Sequence, residues 1–297
     1  MKERGAGTDM TMTADFGETS RRLDGSLPLH YHELGEGPFL ILLHGSGPGV
    51  NGWSNFSGNL PVFAERFRTV ILDLPGFGLS PPVKLDDRYP AVAARAIGVL
   101  LDALGVEQAH ILGNSMGGLT AMEFAATNPE RVSRLVLMGP GGINVLGPSR
   151  SEGFARLYDF LDLPTRKRMV AWVETMVADP AFITDELIDQ RLESATAPGA
   201  IEAAREVFAS LYSPEFKDNP PLWLTSSRVR CRTLITWGRD DRMVPLEHGL
   251  FAWRRMPAAD MHIFSRCGHW AQIERKTDFE RVVLEFLTSR PGDIPGA

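Results

Sequence analysis

The sequence predicts an α/β protein with a mostly parallel, doubly wound sheet and an all-helical insertion. Short runs rich in Ile, Val and Leu alternate with longer stretches of helical spacing, the pattern of parallel strands joined by helices. One long segment without any strand pattern interrupts this alternation. The length of 297 residues, 43% of them hydrophobic, supplies enough apolar surface for one large core.

The predicted strands are continuous apolar runs, which indicates burial on both faces of a sheet. They cover residues 39–43, 69–74, 109–112, 134–138, 232–237 and 261–264. Segments with helical spacing lie between and after them, at 91–104, 118–127, 246–256 and 276–288. Parallel strands with intervening helices are the basis of a doubly wound sheet.

The segment 143–228 contains no convincing strand and indicates helices at 152–160, 165–177, 185–194 and 198–211. We therefore expect a helical lid inserted into an α/β core. The expected boundaries are a disordered N-terminus at 1–14, a core of 15–142 and 229–290, a lid of 143–228 and a frayed tail at 291–297.

The net charge of -6 is spread along the chain without an acidic or basic block. This argues against nucleic acid or an anionic membrane surface as a partner, and an anionic substrate would need a local arginine.

The sequence shows no signal peptide and no run of about 18 apolar residues. Two cysteines, Cys231 and Cys267, exclude a disulfide framework, so we expect a cytoplasmic protein.

Ser115 is a candidate for chemistry because it lies at a predicted strand-to-helix turn. It is the central residue of a Gly-Asn-Ser-Met-Gly sequence that follows an apolar run and precedes an Ala-rich helical stretch. This pattern is typical of a nucleophile elbow, in which glycine neighbours permit a strained backbone at the serine.

A serine nucleophile needs a base and a carboxylate that orients the base. Asp240 and Asp241 follow one predicted strand, and His269 follows the next. Because the carboxyl ends of parallel strands meet at one edge of a sheet, these side chains should lie near Ser115, and their order along the chain is that of α/β-hydrolases. The spacing leaves the choice between Asp240 and Asp241 open. The alternative is that these residues only satisfy backbone groups of their turns.

A glycine-rich loop at residues 44–49 follows strand 39–43. We expect the backbone N–H groups of Ser46 and Met116 to form an oxyanion hole. The loop lacks the Gly-Lys-Ser/Thr ending of a phosphate-binding loop. No metal site is expected, because His30 and His32 have no third ligand at metal spacing and are interpreted as part of a solvated strand face.

Together these motifs resemble those of the meta-cleavage product hydrolases, α/β-hydrolases that cut a carbon–carbon bond in ring-opened aromatic compounds. The resemblance spans essentially residues 29–287. It is carried by residues 44–49, 53–55, 113–118, 138–142, 237–241 and 267–270. These motifs separate the family from ordinary esterases much better than Gly-x-Ser-x-Gly does.

The resemblance implies that Ser115 is the nucleophile, that Asp241 rather than Asp240 is the carboxylate, and that His269 is the base. It also implies a 2-hydroxy-6-oxohexa-2,4-dienoate as the substrate, no cofactor, and a homo-oligomer, either a dimer or a tetramer. The expected reaction begins with ketonisation of the dienol by His269. Attack of Ser115 on the side-chain ketone then leads to an acyl-enzyme. The alternative is direct attack of water on the ketone through a gem-diol, and the sequence does not distinguish the two routes.

The resemblance further implies which residues bind the substrate. Those matching the family pattern for the dienoate end are Asn55, Asn114, Arg191 and Trp270, and Gly45 is also expected to contact the substrate. A guanidinium such as Arg191 holds a carboxylate bidentately inside a net acidic protein, although a solvated helix-face arginine is the alternative. Met243 and Val244 are expected to line the apolar side that accepts the variable substituent, and core packing explains them equally well.

Two other functions are compatible with these residues. One is a carboxylesterase or lactonase of the same fold, and the other is a ligand-binding receptor that turns over slowly. Haloalkane dehalogenases and epoxide hydrolases carry an aspartate where this chain has Ser115. Residues 158–165 and 210–224 match no family pattern, so the sequence leaves the shape of the apolar subsite undefined.

Overall fold

An eight-stranded sheet forms the centre of the protein in a computed structural model that describes residues 14–142, 150–216, 219 and 221–289. The strands are β1 (Ser20–Leu23), β2 (Leu29–Leu34), β3 (Phe39–Leu43), β4 (Arg68–Leu72), β5 (Ala109–Asn114), β6 (Val132–Met138), β7 (Arg232–Gly238) and β8 (Ala259–Phe264). Their order across the sheet is β1-β2-β4-β3-β5-β6-β7-β8. The pairs β1–β2 and β2–β4 are antiparallel, and all other pairs are parallel.

Helices surround the sheet and fill the segment between β6 and β7. Before this segment lie α1 (Phe16–Thr19), α2 (Gly52–Phe56), α3 (Leu60–Ala64), α4 (Tyr89–Ala103) and α5 (Met116–Thr127). Within it lie α6 (Glu152–Asp162), α7 (Arg166–Val173), α8 (Asp185–Ala195), α9 (Ala200–Ser210) and α10 (Leu222–Thr225). After β7 come α11 (Leu246–Arg255), α12 (Ala271–Glu274) and α13 (Lys276–Thr288). Short 3-10 turns lie at Pro129–Arg131, Pro180–Phe182, Pro214–Phe216 and Ser226–Arg228.

The six predicted strands are present as β3 to β8, so the predicted mostly parallel sheet is confirmed. Alternate residues of β3 show why the sheet is doubly wound. Leu40 and Leu42 pack with α2, α3 and α13 on one face, whereas Ile41 and Leu43 pack with α4, α5 and the lid on the other. The strands β1 and β2 were not predicted, because both contain several polar residues and neither has a continuous apolar run.

The described part of the segment between β6 and β7 contains helices joined by turns and loops and no strand, so the predicted all-helical lid is confirmed. Helix α7 ends at Val173, four residues before the predicted end, because residues 174–176 form a turn. The exact core and lid boundaries stay predictions. Residues 143–149 at the start of the lid, the predicted tail 291–297 and nearly all of the predicted disordered segment 1–14 lie outside the described residues.

The prediction that His30 and His32 form a solvated strand face is wrong, since each is only 1% exposed. The short helix α1 and Trp53 cover them, with the ring centroids of Phe16 and Trp53 4.6 and 4.5 Å from that of His32. Burial, followed by the proximity of His30, lowers the pKa of His32 to about 4, which keeps it neutral. A four-residue helix carries too little sequence signal to reveal this cover.

His30 also belongs to a buried polar group centred on Asp73. Its Nδ1 lies 2.7 Å from Asp73 Oδ2, and the same carboxylate accepts hydrogen bonds from the backbone N–H groups of Gly52 and Leu79. Burial tends to raise the pKa of Asp73, but these hydrogen bonds outweigh it and lower the pKa. Asp73 thus joins β2 to the loops beyond β3 and β4.

No helix among the described residues is long and apolar enough to cross a membrane. In the same part of the chain, no three His, Cys, Asp or Glu side chains are grouped so that they could hold a metal ion. Cys231 and Cys267 are both free thiols.

We predict that Asp73→Ala lowers the free energy of unfolding by about 3 kcal/mol or more, because it leaves several buried donors without an acceptor. Chemical denaturation measures the change. The control is Asp260→Ala, which removes a 58% exposed carboxylate 3.8 Å from Arg232 and should change stability by less than about 1 kcal/mol. Equal effects of the two substitutions would contradict the role given to Asp73.

Candidate functional site

Ser115 lies between β5 and α5 with φ 51° and ψ -113°, a strained conformation for a residue with a side chain. Glycine is required on both sides of it. A Cβ on Gly113 would lie 2.4 Å from the Gly117 carbonyl oxygen, and a Cβ on Gly117 would lie 2.3 Å from that of Leu43. The sequence therefore folds locally into the sharp turn that its motif predicts, and the serine side chain faces a cavity.

His269 and Asp241 form a buried pair, with Nδ1 of the histidine 2.7 Å from Oδ2 of the aspartate. The other carboxylate oxygen accepts hydrogen bonds from the backbone N–H groups of Met243 and Val244, each at 2.8 Å. Asp240 instead points outward and contacts Arg239. The structure thus brings Asp241, and not Asp240, to His269. This fixes a proton on Nδ1 and leaves Nε2 available as an acceptor.

The end of β6, at Met138 and Gly139, lies between this pair and the serine and contacts both. The backbone N–H of Ser115 donates to the Met138 carbonyl oxygen at 2.9 Å. At the next residue, Gly139, an added Cβ would lie 3.2 Å from His269 Nδ1 and 3.4 Å from Asp241 Oδ2. Among the described residues the Ser115 hydroxyl makes no hydrogen bond, a common state of catalytic serines before substrate binds.

His44 holds the glycine-rich loop in a fixed orientation. Its Nε2 accepts a hydrogen bond from the backbone N–H of Leu74 at 3.0 Å, and its Nδ1 donates to the Gly45 carbonyl oxygen at 2.6 Å. Complete burial lowers the pKa of His44, which keeps this neutral tautomer. Because the Gly45 carbonyl and the Ser46 N–H belong to one planar peptide and point in opposite directions, His44 turns the Ser46 N–H away from itself.

Ser46 and Met116 both line a cavity of about 540 Å³ that reaches Ser115. Neither backbone N–H donates to another described residue, so both are available to an oxyanion. The remaining walls are mostly apolar and come largely from the lid and the loop after β7. They include Leu119, Phe154, Phe208, Leu211, Met243 and Val244. Met243 and Val244 thus line this cavity, and their contact with the variable substituent stays a prediction.

Arg191 lies away from this cavity, between two indole rings. Its guanidinium carbon is 5.0 Å from the ring centroid of Trp270 and 5.4 Å from that of Trp172. Loss of hydration lowers the pKa of Arg191 to about 10, so the side chain is still charged at neutral pH. Within the described part of the chain, no acidic group pairs with it, and its Nε has no hydrogen-bond partner.

The neighbours of Arg191 on α8 do not neutralise it. Asp189 pairs with Arg166 at 3.0 Å, and Glu193 is exposed. Arg191 is therefore a partly buried arginine with a buried Nε, rather than one on a fully solvated helix face. A cation that has lost part of its hydration and has no acidic partner among the described residues is a candidate for pairing with an anionic ligand.

The other predicted binding residues do not line the 540 Å³ cavity. Asn114 donates through Nδ2 to the Met138 carbonyl oxygen at 3.2 Å, and its Oδ1 would lie 2.9 Å from a Cβ on Gly45. The buried Oδ1 of Asn55 has no partner among the described residues. Trp270 is 5% exposed. The site thus has an apolar part reached from Ser115 and a separate polar part around Arg191.

A carboxylate that the sequence did not indicate ties the His269 loop to the lid. Glu274 accepts hydrogen bonds from the backbone N–H groups of Ala178 and Asp179 through Oε1, and from that of Gly268 through Oε2. The His269 backbone N–H itself donates to the Met176 carbonyl oxygen at 2.7 Å. All of these partners are backbone groups, and those in the lid are about 95 residues away along the chain, so one sequence carries no signal for them.

Comparisons with known proteins agree with this geometry. The family model for the alpha/beta hydrolase fold matches residues 38–192. The chain is 39% identical to the 2-hydroxy-6-oxo-6-phenylhexa-2,4-dienoate hydrolase of Comamonas testosteroni, over 94% of this chain and 97% of that relative. It is 41% identical to the 2-hydroxy-6-oxononadienedioate/2-hydroxy-6-oxononatrienedioate hydrolase of Paraburkholderia xenovorans, over 89% and 92% of the two chains. A solved meta-cleavage product hydrolase from Pseudomonas fluorescens matches with a TM-score of 0.78 and 33% identity, over 88% and 94%.

We predict that Glu274→Ala slows labelling of Ser115 by a fluorophosphonate about tenfold or more, because His269 loses its fixed position as the base. Mass spectrometry of the intact protein measures the labelling rate. Glu274→Gln should recover only part of the rate, since an amide offers a single acceptor oxygen.

The matched control is Glu285→Ala, which removes a 76% exposed carboxylate from α13 and should label at the wild-type rate. Wild-type labelling of Glu274→Ala would show that the lid contact does not position His269.

Proposed function

Because the chain belongs to the meta-cleavage product hydrolases of the α/β-hydrolase fold, we propose that it hydrolyses a 2-hydroxy-6-oxohexa-2,4-dienoate. The products are 2-hydroxypenta-2,4-dienoate and a carboxylic acid. The observation that supports this most strongly is the Arg191 guanidinium, which has no acidic partner among the described residues and lies over the ring of Trp270, the residue that follows His269. A carboxylate substrate would supply such a partner, whereas a neutral ester would not.

The substrate lies across the two parts of the site. Its carboxylate binds at Arg191, with Trp270, Asn55, Asn114 and Gly45 around the dienoate. Its variable substituent enters the cavity lined by Met243 and Val244. The ketone between these two ends then lies at Ser115. The cavity volume of about 540 Å³ is several times the roughly 150 Å³ that holds a benzene molecule, so a substituent larger than methyl fits.

The reaction begins with ketonisation of the dienol, in which His269 carries the proton. Ser115 then transfers its proton to His269 and attacks the side-chain ketone, while Asp241 stabilises the imidazolium. The resulting oxyanion is held by the backbone N–H groups of Ser46 and Met116, each worth about 3 kcal/mol of transition-state stabilisation. The oxyanion then collapses to a Ser115 ester as the carbon–carbon bond breaks, and the electron pair of that bond moves through the conjugated chain onto the ketone oxygen formed by ketonisation. This enolate oxygen takes the proton from the His269 imidazolium to give the dienol product, and water, which His269 deprotonates, hydrolyses the acyl-enzyme.

We also propose a cytoplasmic homo-oligomer, a dimer or a tetramer. The two free thiols, Cys231 and Cys267, are typical of a reducing compartment. The large apolar core of one chain does not depend on a partner, so the proposal for the oligomer rests on family membership.

The decisive test of the proposed function follows the visible absorbance of ring-opened dienoates that carry methyl, phenyl or bulkier substituents. Wild type should bleach at least one of them, and Ser115→Ala should lose at least about a thousandfold in kcat. The function is wrong if wild type bleaches none. Rapid turnover of neutral esters in that case would indicate an esterase instead.

Arg191→Ala should raise KM for the dienoate about ten- to a hundredfold, because a charged hydrogen-bonding partner of the carboxylate is lost. Arg191→Lys should recover only part of the affinity, since an ammonium cannot bind a carboxylate bidentately. Arg205→Ala is the control, as this half-exposed side chain contacts Asp162 on the lid surface. Unchanged steady-state kinetics for Arg191→Ala would remove Arg191 from the site.

A further inference from the structure

Trp172, on lid helix α7, has a buried hydrogen-bond donor without an acceptor. The side chain is fully buried, and its Nε1 has no partner among the described residues. Two other indoles of the protein have a partner: Trp237 donates to the Val244 carbonyl oxygen at 2.9 Å, and Trp253 donates to that of Ala259 at 2.8 Å. Buried indole N–H groups usually find a partner, so this one needs an explanation.

The donor edge of Trp172 lies against the loop that carries Ser46. An added Cβ on Gly47 would lie 2.7 Å from Cη2 and 3.2 Å from Cζ2 of the indole. Cζ2 and Nε1 are bonded to the same ring carbon, so the N–H lies on the side of the ring next to this contact. The ring itself is held in place, with Phe160 stacked at a centroid distance of 5.9 Å.

The same indole contacts Arg191, the other unpartnered donor of this region. The guanidinium carbon lies 5.4 Å from the Trp172 ring centroid, and the buried Nε of Arg191 also has no acceptor in the described structure. The guanidinium thus lies over the face of the ring whose edge, next to the candidate oxyanion loop, carries the N–H. An oxygen-rich anion is the chemical group that would satisfy both.

We propose that the Nε1–H of Trp172 is a second donor to the carboxylate end of the substrate, next to Arg191. This inference rests on the proposed function, because the dienoate supplies the carboxylate. It gives Trp172 a part in specificity, since a substrate without this group leaves a buried N–H unpaired, and sites built around such donors discriminate strongly.

The test is Trp172→Phe, which keeps an aromatic ring and removes the N–H. We expect kcat/KM for the dienoate to fall about ten- to a hundredfold, mainly through KM, as for loss of a hydrogen bond to a charged group. The fluorophosphonate labelling rate of Ser115 should stay at the wild-type level, because the label has no carboxylate. Trp253→Phe, which changes a 42% exposed indole, should match wild type in both assays.

A second replacement separates the N–H from the shape of the side chain. Benzothienylalanine at position 172 has a bicyclic ring of nearly the same size, with sulfur in place of N–H, and should reproduce the loss seen with phenylalanine. Wild-type kcat/KM for the dienoate in either variant would overturn the role of Trp172. An equal fall in dienoate turnover and Ser115 labelling would also overturn it, because it would indicate a packing role. If wild type bleaches no dienoate, the proposed function itself fails.

Discussion

The hydrogen bonds between the His269 loop and the lid hold the two parts of the site together. The base, the serine and the glycine-rich loop are core residues, whereas Arg191 and Trp172 are lid residues. Glu274 and the Met176 carbonyl oxygen connect these two units through the backbone next to His269. The distance between the His269 imidazole and the Arg191 guanidinium therefore depends on this junction. Errors of about 1 Å in such placement are known to cost a hundredfold in rate.

The polar part of the site contains charged and polar groups whose burial is not compensated by hydrogen bonds within the described structure. Arg191 has lost part of its hydration, and among the described residues its guanidinium contacts aromatic faces, which stabilise the charge less than a carboxylate does. The Nε1 of Trp172 and the Oδ1 of Asn55 are also buried without a partner in the part of the chain that the structure describes. A preorganised group of unsatisfied polar atoms destabilises the empty protein slightly and favours a ligand that satisfies them. The apolar cavity instead favours a nonpolar substituent, because burial of nonpolar surface away from water is favourable.

Much of this arrangement could be predicted from the sequence, where a local pattern determines the structure. Continuous apolar runs identified β3 to β8, and the order of the three loops located Ser115, Asp241 and His269 at one sheet edge. Spacing alone could not separate Asp240 from Asp241, because the choice depends on which carboxylate receives the backbone N–H groups of the next turn. The interpretation of His30 and His32 was wrong for a similar reason, since a short helix distant from any clear motif covers them. Glu274 was missed because it binds backbone N–H groups, most of them in the lid. Trp172 was missed because its Nε1 has no hydrogen-bond partner among the described residues.

The central claim is that a dienoate spans both parts of the site in one orientation. A crystal structure of Ser115→Ala with an intact dienoate tests it most directly. We expect the carboxylate between Arg191 and the Trp172 N–H, the side-chain ketone at position 115 with its oxygen toward the Ser46 and Met116 backbone N–H groups, and the substituent among Phe154, Phe208 and Met243. A dienoate bound in reverse, with its carboxylate in the apolar cavity and its substituent at Arg191, would contradict the account.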